Sequence, residues 1–290
     1  MTKNIAIIGG SGYVGVQLTR YLTTKGYSVS IIDLKAPPKI SDFRYIRADL
    51  LELKAADIDS YSHLVLLAAH SSVRQAADDP LGAIRTNITG VQGLLSVMQE
   101  NQILYFASSG SVYDGVKNNS AREETILSTP RNLYDLSKRV AEDIIAMSGK
   151  HSIIFRFGTV NGPSESMRND LVINALVESA ITKKRIHISN GQVNRAILSI
   201  DDLCAGIENA ISFSEKSDQL EIYNLASFNM TVNEIGEGIS KYFQVPIIQE
   251  PPSSTYDFSM NSSKAEKYLG FHPVDTLDTL VQKLENFIKY

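Results

Sequence analysis

The chain has 290 residues, of which 43% are hydrophobic and 21% are charged. This is the composition of an ordinary globular protein, and it excludes a disordered or fibrous chain. The 28 basic and 32 acidic side chains leave a net charge of -4, so we expect neither nucleic acid nor an anionic membrane as a partner.

The only cysteine, Cys204, can form neither an internal disulfide nor a thiolate metal site, which fits a reducing compartment. The apolar run in KNIAIIGG is shorter than the core of a signal peptide, and no stretch is long enough to span a bilayer. The sequence also contains no metal-ligand cluster. We therefore expect a cytoplasmic protein without a membrane partner or a metal.

Short β-branched runs alternate with longer amphipathic segments in the first half of the chain. This alternation is typical of βαβ units in a parallel sheet. The predicted strands are 4–8, 28–32, 43–46, 63–68, 102–107 and 151–157, and the predicted helices are 13–25, 80–99 and 132–148. The sequence therefore predicts an α/β fold of the Rossmann type, with a doubly wound parallel sheet.

The chain changes character after residue 160. The turn-rich passage NGPSESMRND precedes a predicted helix at 170–183 and a predicted strand at 185–188. The segment NRAILSIDDLCAGIENAI has a strand-then-helix pattern, with Asp201 or Asp202 near the helix start. We therefore expect a large domain at 1–160, to which the chain returns near 193–226, and a smaller, discontinuous C-terminal domain within 161–290. A loop at PIIQEPPSSTYDF and helices at 261–269 and 275–289 complete the prediction.

The stretch IAIIGGSGYVGVQL places Gly9, Gly12 and Gly15 between a predicted strand and a predicted helix. Glycines at these points allow a tight turn, a close approach of the backbone to a pyrophosphate, and close packing of the helix on the strand. The N–H groups at the helix start would face the phosphates. Without further context, the pattern also fits a glycine-rich turn that binds nothing.

The context is supplied by Asp33, which follows Gly15 by 18 residues and ends the second predicted strand. A carboxylate there can accept hydrogen bonds from both ribose hydroxyls of an adenosine, and it would repel a 2′-phosphate. This favours NAD over NADP as the cofactor, although the nearby Lys35 weakens the preference. An aspartate that simply ends a strand at the surface is the alternative.

The segment NLYDLSKRVAED places Tyr134 four residues before Lys138, on one face of a predicted helix. A nearby ammonium stabilises a phenolate and lowers the phenol pKa, which makes a proton donor or acceptor usable near neutral pH. A tyrosine and a lysine also occur at this spacing by chance. Upstream, ILYFASSGSVYD reads as a buried strand that ends in serines, at the edge where open α/β sheets bind ligands.

Taken together, these segments resemble the extended short-chain dehydrogenase/reductases, in particular the nucleotide-sugar epimerases and dehydratases. The resemblance runs through nearly the whole chain. It is carried by GGSGYVG, Asp33, RADL, LLAAH, NITGVQGLL, FASSGSVYD, YDLSK, FRFGTVNGP and NRAILSIDDL.

The resemblance implies that Tyr134 is the catalytic acid/base and that Ser109 is the catalytic hydroxyl. It implies that Lys138 binds the nicotinamide ribose and lowers the pKa of Tyr134, and that the large domain binds NAD while the smaller one binds substrate. The implied cofactor-binding residues are Gly9, Gly12, Tyr13, Val14, Gly15, Asp33, Asp49, Leu50, Ala68, Ala69, Asn87, Tyr134 and Lys138.

The chain departs from the family pattern in two places. Gly110 and Ser111 stand where sugar 4,6-dehydratases have an Asp-Glu pair, so that dehydration is disfavoured. Thr159 replaces an asparagine of the galactose-type 4-epimerases, and Asn161 replaces an aromatic residue. The expected substrate-binding residues are Ser111, Thr159, Asn161, Arg168 and Arg195.

The resemblance implies an NAD-dependent epimerase that transiently oxidises a nucleotide-diphosphate sugar to a keto-sugar. The alternatives are an NAD(P)H-dependent reductase or dehydrogenase of a keto-sugar nucleotide, and a non-catalytic dinucleotide-binding sensor. Family members commonly form homodimers through helices that correspond to 80–99 and 132–148, so we expect a homodimer here.

Overall fold

The computed structural model of the protein describes residues 3–116, 120–213 and 220–289. In these residues the strands are β1 (Asn4–Ile8), β2 (Ser28–Asp33), β3 (Arg44–Arg47), β4 (His63–Leu66), β5 (Ile103–Ser109), β6 (Ser152–Phe157), β7 (Thr159–Asn161), β8 (Ile186–Ile188), β9 (Asn194–Ser199), β10 (Leu220–Leu225), β11 (Phe228–Thr231) and β12 (Ile247–Gln249).

The same residues contain the helices α1 (Tyr13–Thr24), α2 (Ala55–Ile58), α3 (Val73–Asp78), α4 (Pro80–Ile84), α5 (Gly90–Val97), α6 (Leu133–Met147), α7 (Val172–Lys183), α8 (Ile200–Phe213), α9 (Val232–Phe243), α10 (Ser263–Leu269) and α11 (Leu277–Lys289). Two 3-10 turns lie at Leu50–Glu52 and Gly110–Tyr113. None of the helices in this described part of the chain is long and apolar enough to cross a membrane.

A seven-stranded sheet forms the centre of the molecule, with strand order β10-β6-β5-β4-β1-β2-β3. Each of its pairings is parallel. All six predicted strands of the first half are present in it. The fourth ends at Leu66 and not at residue 68, because the N–H groups of Leu67 and Ala68 both bond to the Ile8 carbonyl and turn the chain out of the sheet.

Helices cover both faces of the main sheet, which confirms the doubly wound fold. Residues of α1, α8 and α10 share one apolar core with the sheet. Residues of α5 and α6 share the core on the opposite face. The central strands are buried on both sides, which explains why they read as continuous apolar runs and not as alternating ones.

The helix predicted at 80–99 is interrupted. It consists of α4, a π-helical turn at Arg85–Thr89, and α5, which ends where Met98 becomes extended. Such a turn carries one extra residue and is invisible to a 3.6-residue periodicity. The consequence is local, because the turn places the buried Asn87 against the loop that follows β4.

The remaining elements form a smaller unit with its own core between α7, α9 and α11. Its sheets have the orders β11-β9-β7 and β12-β8. Within 193–226, β9 lies in the small sheet, whereas α8 packs on the main sheet and β10 is its edge strand. One expectation was wrong here. The expected loop contains β12, since Ile247 pairs with Ile186. Finally, α9 was not predicted at all.

Candidate active site

The glycine-rich turn lies where the order of the main sheet reverses, between β1 and β4. Gly9 has a φ of 90°, and a Cβ added to it would stand 2.4 Å from the Ala68 backbone nitrogen. A Cβ on Gly15 would stand 2.5 Å from the Cα of Gly10. Any side chain at these positions would therefore separate β1 from β4 or α1 from the turn. Gly12 caps α1 and donates its N–H to the Gly9 carbonyl at 3.2 Å.

A dinucleotide fits this turn. The Ser11 hydroxyl is buried and has no hydrogen-bond partner among the described residues, which is a costly state for a polar group. The Asp33 carboxylate accepts from the Ser11 N–H at 2.9 Å and from the Lys35 N–H at 2.8 Å. It therefore stands at the rim of the crevice that the glycine turn and the ends of β1, β2 and β4 form. The sequence analysis missed Ser11. A hydroxyl inside a phosphate-binding turn was the signal that could have revealed it.

Tyr13 joins the glycine turn to the smaller unit. Its hydroxyl donates to the Gly162 carbonyl at 2.7 Å and accepts from Asn174 Nδ2 at 3.2 Å. The Ser164 hydroxyl donates to the Tyr13 carbonyl at 2.8 Å. Burial raises the pKa of Tyr13 well above its usual value. The backbone of Tyr13 belongs to the turn, while its side chain holds the segment that follows β7. The neighbouring Val14 packs against the first core.

Four of the other expected cofactor residues lie at or under the crevice. Asp49 accepts from the Leu51 N–H at 3.0 Å and begins a 3-10 turn. Leu50 is buried in the core below it. Ala68 and Ala69 are half-buried just past the end of β4.

Asn87 is a buried support of the crevice, not a solvated helix residue. Its amide accepts from the His70 N–H at 2.8 Å and donates to the His70 carbonyl at 3.1 Å. It also donates to the Ser137 hydroxyl at 2.9 Å. Asn87 therefore ties the loop after β4 to α6, the helix that carries the expected catalytic pair.

The structure brings Ser109, Tyr134 and Lys138 together at the carboxyl end of β5. Ser109 is the last residue of that strand, and its side chain is near enough to the Tyr134 phenol to lower the pKa of that phenol. Tyr134 and Lys138 lie one turn apart on α6, and the side chain of Asn132 caps this helix. The Lys138 ammonium is buried and donates to the Ala107 carbonyl at 2.7 Å.

The electrostatics of the pair differ from the expectation. Burial raises the pKa of Tyr134, against the opposing effects of the Ser109 side chain and the Arg168 charge. Burial also lowers the pKa of Lys138 to about 8, although the Glu142 charge acts in the other direction. The Lys138 ammonium is turned to Ala107, and the side chain that the structure identifies as a cationic influence on the phenol is Arg168.

A buried ion pair fixes α6 to the sheet. The Arg156 guanidinium of β6 donates to both carboxylate oxygens of Glu142, with Nη2 to Oε2 at 2.7 Å. The Ser108 hydroxyl donates to the same carboxylate at 2.5 Å. Both charged side chains are nearly inaccessible, so removing either one would leave the other charge buried and unpaired. Lys138 lies one turn before Glu142 on the same helix.

A second carboxylate, which was not predicted from the sequence, lies beside the expected catalytic hydroxyls. Asp135 is only 2% exposed. It accepts from the Ser111 hydroxyl at 2.6 Å, from the Tyr256 hydroxyl at 2.9 Å and from Asn132 Nδ2 at 2.6 Å. Burial raises the pKa of its carboxyl, and these three hydrogen bonds lower it, with a net rise.

The expected substrate residues are spread over different depths. Thr159 is half-buried at the start of β7. Asn161 is completely buried, and its Oδ1 accepts from the N–H groups at the start of α7, so it lies beneath the site and not in it. The Arg168 guanidinium pairs with Asp170 and reaches Ser71. The Arg195 guanidinium contacts the loop before Phe258, at the carbonyl of residue 256 and the hydroxyl of residue 255.

Residues 5–226 match the family described as the NAD dependent epimerase/dehydratase family. The chain belongs to this family. Membership confirms the family resemblance, the enzyme class and the NAD dependence that the sequence analysis predicted.

Relatives and solved structures extend the likeness over the whole chain. The UDP-glucuronate 4-epimerase 4 of Arabidopsis thaliana is 25% identical over 323 residues, covering 96% of this chain and 74% of the relative. The structure of UDP-glucuronic acid 4-epimerase from Bacillus cereus, in complex with UDP-glucuronic acid and NAD, is 23% identical. It has a TM-score of 0.87 and covers 99% of both chains.

The structure of MoeE5 in complex with UDP-glucuronic acid and NAD has a TM-score of 0.89 at 21% identity, again over 99% of both chains. At these identities the two solved structures confirm the fold alone.

Proposed function

We propose that the protein is an NAD-dependent epimerase that inverts C4 of a nucleoside-diphosphate sugar through a transient keto-sugar. The observation that carries this proposal is the convergence of Ser109, Tyr134 and Lys138 beside a glycine turn that fits a pyrophosphate. The Arabidopsis thaliana relative is, by its name, a UDP-glucuronate 4-epimerase, which supports C4 as the reacting carbon.

The crevice residues would hold the cofactor, which supplies a reversible acceptor for the hydride of the sugar carbon. The unpartnered Ser11 hydroxyl and the N–H groups at the start of α1 face the position of the pyrophosphate. The Asp33 carboxylate at the rim favours NAD, because it would repel the 2′-phosphate of NADP.

Tyr134 would transfer the proton of the reacting sugar hydroxyl. As a phenolate it would remove that proton, and as a phenol it would return it after the sugar has turned its other face. Ser109 would orient the sugar oxygen from the end of β5. The Lys138 ammonium uses one N–H on Ala107 and keeps two for the hydroxyls of the nicotinamide ribose.

Two guanidinium groups are suited to the substrate diphosphate. Arg168 reaches Ser71 in the loop after β4, and Arg195 projects from β9 to the loop before Phe258. Guanidinium groups bind phosphates through two parallel hydrogen bonds, so either group could hold the diphosphate in register.

Sugar 4,6-dehydration is disfavoured for a steric reason as well as a chemical one. A Cβ on Gly110 would stand 2.3 Å from the Met260 sulfur and 2.9 Å from the Phe258 ring. An acidic side chain at this position, where the dehydratases carry one, would therefore have to displace the Met260 and Phe258 side chains. This supports epimerisation as the fate of the keto-sugar.

The test has two steps. The purified protein is denatured, and the released nicotinamide cofactor is identified. The native enzyme is then offered UDP-glucuronate and other nucleotide sugars, with and without added NADH. We expect the denatured protein to release NAD. We also expect the native enzyme to isomerise the sugar without consuming added cofactor. Stoichiometric consumption of NADH would instead identify a reductase, and bound cofactor with no turnover of any nucleotide sugar would favour the sensor.

We also propose that the enzyme is a cytoplasmic homodimer. Leu81, Ile84 and Leu136 are exposed on α4 and α6, the helices through which family members are expected to associate. Large exposed apolar side chains on neighbouring helices are typical of an interface. Light scattering of the wild type and of Leu136→Glu tests the dimer: the variant should be monomeric. The cytoplasmic location is supported by the single cysteine.

A further inference from the structure

A buried carboxylate stands behind the serines at the end of β5. The Asp135 side chain is 2% exposed and lies in the first turn of α6. Its Oδ1 accepts from the Ser111 hydroxyl at 2.6 Å, and the Ser111 and Ser109 hydroxyl oxygens are 2.9 Å apart. Two consecutive short contacts therefore separate the carboxylate from Ser109, the hydroxyl that the proposed function assigns to the reacting sugar oxygen.

Asp135 pairs with no cationic side chain in the part of the chain that the structure describes. It accepts from two hydroxyls and from Asn132 Nδ2, which are neutral donors and satisfy an ionised carboxylate. The basic side chains beside it in sequence are engaged elsewhere. Arg131 pairs with another carboxylate at 3.4 Å, while Lys138 and Arg139 donate to backbone carbonyls. The corner of the site next to Ser111 is therefore negatively charged.

The other charged groups near this corner do not neutralise it. Asp114 is a second carboxylate that acts on Asp135, and its partner is the exposed Arg131. Arg168 donates from Nε and Nη2 to the two carboxylate oxygens of Asp170, at 3.0 and 2.7 Å. The proposed function assigns the rest of that guanidinium to the diphosphate. Arg168 is therefore not available to balance a further negative charge on the sugar.

Asp135 also determines which atoms two hydroxyls present to a substrate. An ionised carboxylate can only accept, so the O–H protons of Ser111 and Tyr256 point to it. Each of these hydroxyls is then left with acceptor lone pairs. Such oxygens can accept from a sugar hydroxyl, but they have no proton to donate to a carboxylate on the sugar.

We propose that Asp135 is a specificity-determining residue, which selects nucleotide sugars with a neutral substituent at C5, such as hydroxymethyl, and rejects those with a carboxylate there. The inference rests on the proposed function, since it takes C4 as the reacting carbon and C5 as its neighbour. Asp135 touches no reacting atom, and it acts by its charge and through the Ser111 hydroxyl. The preferred substrate therefore differs from the one in the name of the Arabidopsis relative.

The expected discrimination follows from the distance between the two charges. With the reacting oxygen held at Ser109, a carboxylate on C5 would stand about 8 Å from that of Asp135, and like charges at this distance in a protein site weaken binding about tenfold or more. Epimerisation requires that the sugar present both of its faces to the nicotinamide. The C5 substituent must therefore be tolerated in two positions, and a charged one is disfavoured in both.

Equilibrium binding of UDP-glucose and UDP-glucuronate tests the selection without turnover. The dissociation constants are measured by calorimetry on the full chain carrying Tyr134→Phe and saturated with NAD, so that the sugars bind without being converted. With Asp135 intact, UDP-glucuronate should bind at least about tenfold more weakly than UDP-glucose. Equal affinities, or tighter binding of UDP-glucuronate, would overturn the proposal.

Asp135→Asn identifies the residue responsible, because it replaces the charge with a neutral amide of the same shape. The affinity for UDP, which lacks the sugar, serves as the reference for each protein, so that a general loss of binding cancels. The ratio of the two dissociation constants should fall to within about threefold. A ratio that stays at about tenfold would mean that another feature rejects the uronate, and it would overturn the role of Asp135.

Tyr256→Phe is the matched control. It removes a hydrogen bond from the same Asp135 oxygen and keeps the charge, so the ratio should stay within about twofold of that with Tyr256 intact. A fall as large as that in Asp135→Asn would show that any disturbance of the carboxylate has this effect, which contradicts selection by charge. If Asp135→Asn does not fold, the comparison with Asp135 intact can still overturn the proposal.

Turnover separates this inference from the proposed function. If no nucleotide sugar is isomerised, the proposed function fails, while the ratio of dissociation constants still tests the selection. If UDP-glucuronate is isomerised with the same kcat/KM as UDP-glucose, the proposed function holds and the selection by Asp135 is refuted.

Discussion

The cofactor side and the substrate side of the cleft are built in different ways. On the cofactor side, the surface is backbone: Gly9 and Gly15 allow β1, β4 and α1 to meet at distances that exclude any side chain. On the substrate side, the surface consists of long polar side chains, such as Arg168, Arg195 and Tyr256, which come from separate segments of the chain.

The two sides differ in how the amino-acid sequence determines them. A backbone surface is specified by a few adjacent residues, because glycine spacing and strand order are sufficient to form it. A side-chain surface depends on which distant segments meet, and one substitution can change it without disturbing the fold. We therefore expect variants on the two sides to differ in whether they lose stability or only activity.

The largest expected effect is on activity alone. Tyr134→Phe should lower kcat by about 10³-fold or more, because the proton acceptor is removed, while the free energy of unfolding stays close to that of the wild type. The exposed Tyr268 provides the control, since Tyr268→Phe should leave kcat unchanged. Substantial turnover by Tyr134→Phe would refute the assignment of this residue.

The pH dependence of activity should show the titration of Lys138. The charged ammonium prevails below its pKa of about 8 and is lost as the pH rises through it. Activity should therefore fall above about pH 8, by about tenfold per unit once the neutral amine prevails. Lys138→Arg keeps its charge over this range. If it folds, its profile should lack that limb, and a limb at the same pH in the variant would point to another group.

On the backbone side, Gly9→Ala should cost stability. The positive φ and the close Ala68 backbone together should lower the free energy of unfolding by about 2 kcal/mol or more and weaken NAD binding. Gly26 has a similar φ of 86° with open space around it, so Gly26→Ala isolates the backbone strain, at about 1 kcal/mol. If urea denaturation gave the same loss of unfolding free energy for Gly9→Ala and Gly26→Ala, the close contact of Gly9 with the Ala68 backbone would contribute nothing.

The smallest expected effect is on stability, at the joint that the Tyr13 hydroxyl forms between the cofactor side and the substrate side. Tyr13→Phe removes the hydroxyl that bonds Gly162 and Asn174, and it should lower the free energy of unfolding by about 1 kcal/mol. Tyr242→Phe breaks an exposed bond to Glu285 and should cost less than about 0.5 kcal/mol. Indistinguishable denaturation midpoints for the two variants would mean that the joint is not a stabilising contact.

The sequence predicted the cofactor side well for a physical reason. Apolar runs, helical periodicity and the glycine turn are local signals, and they placed the first six strands of the main sheet within about two residues at each end. Asp33 was found by its distance along the chain from Gly15, and the structure places its carboxylate on the Ser11 N–H.

The substrate side could not be predicted to the same extent. Nothing local in NLYDLSK indicates that the Asp135 carboxylate meets Ser111 and the distant Tyr256. Burial of Lys138 against Ala107, which lowers the pKa of its ammonium, is likewise a result of tertiary packing. The depth of Asn161 follows from its bonds to the start of α7, which come from twelve residues further along the chain.

The buried pair of Arg156 and Glu142 limits how the molecule can move. It holds the middle of α6 against the central sheet, and a shift of that helix would have to separate two charges away from water. Admission of substrate and escape of product should therefore be governed by the segments on the opposite wall, around Arg168 and before Phe258, while the phenol stays stationary.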